Sequence, residues 1–369
     1  MAAILGISLG VTFTICFLTG SISHIHQNPQ PWLTLPARPA GFYRITQGVH
    51  VATGIASIPI LLSKLWTVWP RVVQWPPFTS VASVIERLSL IPLVGGGLFM
   101  LFTGTSNLVQ WYPWAFGFRA AHFWISWVTM GALVAHIGAK FTLTRAALGK
   151  GSAPLPRANP ATRDVAETGS GGLTRRGFLG TVAAASGVLT IATIGETVRP
   201  LATISVLAPR DPRVGPQGLP VNRSAEAARV IPAATSPDYR LTVTGRGVAA
   251  DIVLTADQVR AMATHRAILP ISCVEGWSAN GHWQGVPVRD LVRLAGAPTG
   301  RAVRIESIEH GTYGTSILNH LQAADPDTML ATHLRGEPLH IEHGAPVRLI
   351  APNRPGVQQT KWVTRVVVL

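Results

Sequence analysis

Five uncharged, strongly apolar runs dominate the first half of the chain: Met1–Ile22, Ile45–Ser63, Leu88–Val109, Ala120–Ala139 and Gly177–Gly195. A helix of roughly 20 apolar residues spans a hydrocarbon core about 30 Å thick, so each run is long enough to cross a bilayer. With 47% apolar and 13% charged residues, the whole is too apolar for an ordinary water-soluble protein. The expected N-terminal fold is therefore an all-α transmembrane bundle of about five spans, in a multi-pass protein of the bacterial cell membrane. The first run has no basic segment ahead of it and continues into a Pro-rich aromatic loop, which reads as a retained span and not a cleaved signal.

Loop charge predicts the orientation. Lys64–Arg87 carries three Lys/Arg and Lys140–Arg176 seven, whereas His24–Arg44 and Ser106–Ala121 carry two and one. The positive-inside rule puts the basic loops and the N-terminus in the cytoplasm, and five spans leave everything after Glu196 on the periplasmic or extracellular side. Most of the net charge of +14 has the same origin: thirteen Lys/Arg stand against four Asp/Glu up to Glu196, which is +9, and the exported part retains +5. It calls for a lipid bilayer as partner and no nucleic acid.

The fifth run opens with "LTRRGFLGTVAAASGVLTIATIG", a twin arginine ahead of a modestly apolar stretch. It resembles a twin-arginine export signal placed internally; the alternative is that Arg175 and Arg176 only anchor the inner end of a helix. The expected organisation is a four-helix membrane domain over 1–145, a cytoplasmic linker over 146–172, the fifth span over 173–196 and an exported domain over 197–369. In that last part "YRLTVTG", "ADIVL" and "KWVTRVVVL" alternate as strands do, and "TADQVRAMA", capped by Thr255, and "VRDLVRLAG", stopped by Gly296, read as short helices. The pattern is that of an α+β, mostly-β domain.

Only two cysteines occur, Cys16 in the first apolar run and Cys273 in the exported domain. They are not placed to pair, so Cys273 is a solitary thiol in an oxidising compartment. It is either buried as a small apolar residue or held as a ligand.

The residues around Cys273 carry a resemblance. "SCVEGWS" followed by "GVPVRDLVRLAG" resembles the molybdenum-binding segment of the sulfite oxidase-like molybdopterin family. "YRLTVTG" is similar to that family's opening strand, "PVNRS" (Pro220–Ser224) to its Asn-Arg cofactor stretch, and "EHGAPVRLIAPNRPGVQQTKWVTRV" to its closing pterin-binding region. The resemblance covers about Gly218 to Leu369. It implies a molybdenum-molybdopterin cofactor, with Cys273 as metal ligand and catalytic residue and with Asn222, Arg223, His343, Arg348 and Lys361 binding the pterin. A soft thiolate suits molybdenum already held by two dithiolene sulfurs. The family's substrate-side loop is matched by "SIEHGTYGTS", without roles for Glu309, His310 or Tyr313. True sulfite oxidases continue into a dimerisation domain after the segment matched by "TKWVTRV". The chain therefore looks more like the periplasmic branch that includes methionine sulfoxide reductase catalytic subunits, which work with a separate haem-containing membrane protein.

The membrane half supplies histidines for such a haem. His50 and His122 lie at one expected outer level and are the first-choice ligands of a b-type haem iron, with His24 and His136 as the second choice. His136 is 14 residues past His122, about 21 Å deeper on nearly the same helix face, but the position 14 past His50 is Lys64, which provides no partner. "TQGVHVATGIASIPILLSKLW" also resembles helices of bacterial cytochrome b-like membrane domains. The expected function is a membrane-tethered oxidoreductase that transfers an oxygen atom to or from a small oxo substrate, exchanging electrons with quinone or another redox carrier, in a direction left open. The competing class is a non-catalytic, membrane-anchored binding or scaffold module that keeps the fold without metal.

Overall fold

The structure, a computed structural model, describes residues 1–30, 32–72, 81–148 and 174–369. The linker expected at 146–172 lies almost wholly outside the described residues. Two compact units are present: residues 1–19 with 49–193, and residues 20–48 with 194–369.

The first unit is helical. It holds most of α1 (Ala2–Gln27) and α2 (Phe42–Val72), with α3 (Val81–Leu90), α4 (Gly96–Leu108), α5 (Phe118–Leu148) and α6 (Arg175–Thr193). A π-helical turn, Ile91–Gly95, joins α3 to α4. Pro92 inside it has no N–H to give to the regular ladder, and a widened turn accommodates that loss. Five helical stretches are long and apolar enough to cross a membrane: Ala2–Gln27, Phe42–Pro70, Arg87–Leu108, Phe118–Ala139 and Arg175–Glu196. They bury few of their residues; Val11, Leu18, Leu62, Trp66, Val128 and Val134 all point outward, which suits a hydrocarbon surrounding and would be costly in water. Contacts inside the unit are small and specific. Leu5, Ile60 and Val182 form an apolar contact of α1, α2 and α6, Ser57 donates to the Thr12 hydroxyl at 2.9 Å, and Phe17 meets Trp127 edge-on at 4.9 Å.

The second unit contains two five-stranded sheets. Its strands are β1 (Arg240–Gly245), β2 (Ile252–Thr255), β3 (His265–Ser272), β4 (Ser278–Pro287), β5 (Val303–Ser307), β6 (Thr315–Leu318), β7 (Met329–Leu334), β8 (Glu337–Pro338), β9 (Arg348–Ile350) and β10 (Val363–Val368). One sheet runs β2-β1-β10-β5-β6 and the other β3-β4-β7-β8, with β9 also on β7. Only the β1–β10 pairing is parallel. Alternation explains the register of β1, where Leu241 and Val243 enter the core while Arg240 stays exposed. Thr255 caps the helix Ala256–Met262 through a reciprocal pair with Gln258, as its sequence predicts.

Chain order alone does not show that residues 20–48 belong with these sheets. Arg38 makes a bidentate contact with Asp325, at 2.9 and 3.1 Å, and also meets Asp327. Asn353 accepts from the Tyr43 N–H and donates to the Pro36 carbonyl, Asn319 donates to Leu35, and Gln358 donates to Gln27. Half of the Arg38 side chain is exposed, so its ion pairs add little net stability. The buried Asn353 bridge and the Tyr43 ring, 1% exposed, hold the segment more firmly.

Candidate active site

Cys273 follows β3 directly and opens the turn that returns the chain into β4. Its N–H donates to the Trp277 carbonyl at 2.9 Å, and the Gly276 N–H returns to the Cys273 carbonyl at 3.2 Å. Gly276 sits at φ 107°, in the left-handed region that glycine enters without strain. The thiol is 5% exposed, and burial, reinforced by the nearby Glu275 carboxylate, pushes it up to about 12. Left to itself it is a protonated thiol; only a strong electrophile such as a metal ion would take it as thiolate.

One side chain reaches that sulfur. Asn222 donates from Nδ2 to Cys273 Sγ at 2.7 Å. Its carboxamide cannot be turned over, because Oδ1 accepts from Arg210 Nη1 at 2.7 Å and from Trp277 Nε1 at 3.2 Å, both of which are only donors. Next to it, Arg223 Nε pairs with Glu309 at 2.8 Å; the arginine is half-exposed and the carboxylate is buried.

The cations predicted at the C-terminal end gather round a single backbone crossing. At Gly344 (φ 104°) an added Cβ would stand 2.9 Å from Lys361 Cβ and 3.0 Å from Arg348 Cβ, so only glycine lets the two chains approach this closely. Lys361 Nζ donates to the carbonyls of Arg223, at 2.9 Å, and Glu342, at 2.6 Å, which ties the Asn222–Arg223 segment to the C-terminal cations. Arg348 is 3% exposed. It donates to the carbonyls of His343 and Gln359, and its guanidinium lies 5.3 Å from the centre of the Trp283 ring. Among the described residues it has no carboxylate partner, and its buried Nε–H meets no acceptor. Burial pulls Arg348 down to about 9, and burial followed by repulsion from Arg348 pulls Lys361 down to about 7. His343 is pulled down to about 4, chiefly by burial. It is thus a neutral imidazole at pH 7, whose Nε2–H donates to the Pro216 carbonyl at 2.6 Å and whose Nδ1 keeps a free lone pair.

A separate constellation lies in the helical unit. The rings of His50 and His122 stand 6.0 Å apart, centre to centre, at 78°. His50 Nδ1 is 2.8 Å from the Cys16 carbonyl, which can only accept, so Nδ1 carries the proton. His122 Nδ1 is 2.8 Å from Thr103 Oγ1, and with that hydroxyl donating to the Phe99 carbonyl, also at 2.8 Å, Nδ1 carries the proton. Both Nε2 atoms are left as lone-pair donors with no hydrogen-bond partner among the described residues. Of the second-choice pair, His24 lies beside Asn28 near the end of α1 and His136 farther along α5.

Residues 228–369 match the family model described as the oxidoreductase molybdopterin binding domain. The chain is 31% identical over 166 residues to mitochondrial sulfite oxidase of Drosophila melanogaster, a stretch covering 37% of this chain and 28% of that protein. It is 32% identical over 130 residues to the protein-methionine-sulfoxide reductase catalytic subunit MsrP of Xanthomonas axonopodis pv. citri, covering 31% and 39%. It is 32% identical over 126 residues to the putative protein-methionine-sulfoxide reductase subunit YedZ1 of Azospira oryzae, covering 34% and 47%. The C-terminal part of the chain is a sulfite oxidase-like molybdopterin-binding domain. The matched family is one of molybdopterin-binding oxidoreductases. It spans less than half the length of each of these three relatives.

The residues of the molybdopterin domain fit an anionic, metal-bearing group. A buried thiol, a buried guanidinium without a carboxylate partner among the described residues, and a lysine held by two carbonyls and the face of Trp362 make up a set suited to such a ligand. Arg210, Trp277 and Glu309 belong to this set as well. Trp277 and Glu309 lie in segments that carry the resemblance, but no role is readable in the sequence for them or for Arg210, because their parts depend on contacts across 12 (Arg210), 55 (Trp277) and 86 (Glu309) positions. If Arg348 is kept for an anionic ligand, Arg348→Met should leave cofactor-free protein as stable as wild type or up to about 2 kcal/mol more stable, while the same variant made with cofactor loses it on purification. Thermal unfolding and molybdenum analysis check this; a large loss of stability with cofactor retained would contradict it.

Proposed function

We propose that the chain is a membrane-tethered molybdopterin oxidoreductase that moves an oxygen atom between its cofactor and a small S- or N-oxide, or a sulfite-type acceptor. The observation that carries this reading is the buried Cys273 thiol with the fixed Asn222 amide directed at its sulfur. When bound, the molybdenum cofactor supplies an oxo-transfer centre that changes by two electrons. Reduction of a sulfoxide by two electrons and two protons gives the sulfide and water, and sulfite oxidation is the reverse type of exchange.

The chain's own residues divide the remaining work. Cys273 supplies the protein sulfur to the metal. Asn222 donates to that sulfur, which stabilises its thiolate form. Arg223, Arg348 and Lys361 would hold the anionic pterin phosphate, with Glu309 fixing the Arg223 head. His343 offers the Nδ1 lone pair, which suits a pterin N–H better than an anion.

We extend the proposal to the helical unit. Its five apolar helices are read as membrane spans with the molybdopterin domain on the outer side, and the exposed Arg175–Arg176 pair at the start of α6 as a twin-arginine export signal. His50 and His122 are read as the residues that would hold a b-type haem, which would exchange electrons with quinone or another redox carrier. What supports the haem is the 6.0 Å ring separation and the two Nε2 lone pairs left free by Cys16 and Thr103.

Purified Cys273→Ser protein should fold and lose oxygen-atom transfer by at least about a hundredfold, since a hydroxyl is a poor substitute for a thiolate on this metal. Normal turnover would remove Cys273 from the site. Either His50→Ala or His122→Ala should abolish a low-spin b-type absorption spectrum, whereas His136→Ala leaves it in place. A spectrum that survives both changes at positions 50 and 122 would refute the ligand assignment.

A further inference from the structure

The turn that carries Cys273 is gripped by side chains outside residues 228–369. Gln47, in the second turn of α2, donates from Nε2 to the Val274 carbonyl at 3.3 Å. Thr197, just beyond α6, donates its hydroxyl to the Gly276 carbonyl. Both threonine and glutamine are buried, at 8% and 6% exposure, so these bonds form away from competing water. The closeness of the two segments depends on one residue: a Cβ at Gly48 would stand 2.9 Å from Thr197 Cγ2. A third contact from the same helix, Arg44 to Asn280 Oδ1 at 2.8 Å, lies on β4 just past the turn.

The turn's own hydrogen bonds run from the N–H groups of Cys273 and Gly276 to the carbonyls of Trp277 and Cys273. They close the loop but do not fix its tilt against the rest of the unit. Two donors acting on carbonyls one and three residues past the cysteine do fix it, and with it the direction of Sγ towards Asn222.

We propose that Gln47 and Thr197 are positioning residues for the metal-binding sulfur, holding the Cys273–Trp277 turn from segments that precede the molybdopterin domain in the chain. The proposal rests on Cys273 being the molybdenum ligand. Groups that orient a ligand set its geometry and electronic properties without touching the metal, so these two residues tune the centre and do not build it.

The test uses full-length protein from cells unable to make the pterin, with iodoacetamide as probe and peptide mass spectrometry to follow Cys273 separately from Cys16. Loss of both bonds in Gln47→Leu/Thr197→Val should raise the Cys273 alkylation rate roughly tenfold, because the turn opens more often. Thr197→Ser, which keeps the hydroxyl, should stay near wild type, and Gly48→Ala should shift the rate in the same direction as Thr197→Val. Should the double variant not fold, Gln47→Leu alone carries the test with a smaller rise. In protein loaded with cofactor the double variant should keep its molybdenum while its Mo(V) electron paramagnetic resonance g values shift. Unchanged alkylation, or Thr197→Ser reacting as fast as Thr197→Val, would overturn the proposal. A molybdenum sulfur shell in Cys273→Ser identical to that of wild type would instead sink the ligand reading on which it rests, a result independent of the alkylation rates.

Discussion

A carboxamide locked against a buried sulfur organises the candidate site in the sheet-bearing unit of this protein. Asn222 has one orientation open to it, because Arg210 and Trp277 both require its oxygen. Its amino group then has the Cys273 sulfur in front of it. Arg223, the next residue, reaches Glu309 by its side chain and Lys361 by its carbonyl, and Lys361 shares the Gly344 crossing with Arg348. A site dispersed over 140 positions of sequence is in this way joined by direct contacts, and each depends on β3, β4, β9 and β10 holding their places.

Electrostatics gives the site its sign. Arg348 is buried without a matching carboxylate among the described residues, beside the half-buried Lys361, at a cost that an ordinary core would avoid by using an apolar residue of the same volume. Such a cost persists where a ligand offsets it, and an anionic cofactor is the kind of ligand that does so. The buried thiol has the same logic: a proton is its stable partner in a bare site, and a metal is the partner that displaces it.

Much of this was legible in the sequence, for identifiable physical reasons. Apolar runs of about 20 residues give long helices whatever surrounds them, and α1, α2, α5 and α6 overlap their predicted runs, each extended by polar or aromatic ends such as Ser23–Gln27 and Lys64–Val72. Alternation made β1, β2 and β10 visible, and the Thr255 cap needed only its local pattern. The π-turn at Ile91–Gly95 was not legible, since Pro92 within an apolar run is compatible with a kink as much as with a widened turn. Nor was the attachment of residues 20–48 to the sheets: Arg38, Tyr43 and Gln47 read as loop and span residues, and their partners Asp325, Asn353 and Val274 lie more than 200 positions away. Motif resemblance singled out Cys273, Asn222 and the C-terminal cations, but the neutral state of His343 and the pairing of Arg223 with Glu309 depend on burial and distance.

X-ray absorption at the molybdenum edge, recorded on purified full-length protein and on Cys273→Ser, tests the central claim most directly. The account predicts molybdenum in both preparations or in wild type alone, with one sulfur neighbour fewer around any metal left in the variant than in wild type. Protein free of molybdenum after expression in cells that make the cofactor, or an identical sulfur shell in the two proteins, would contradict it.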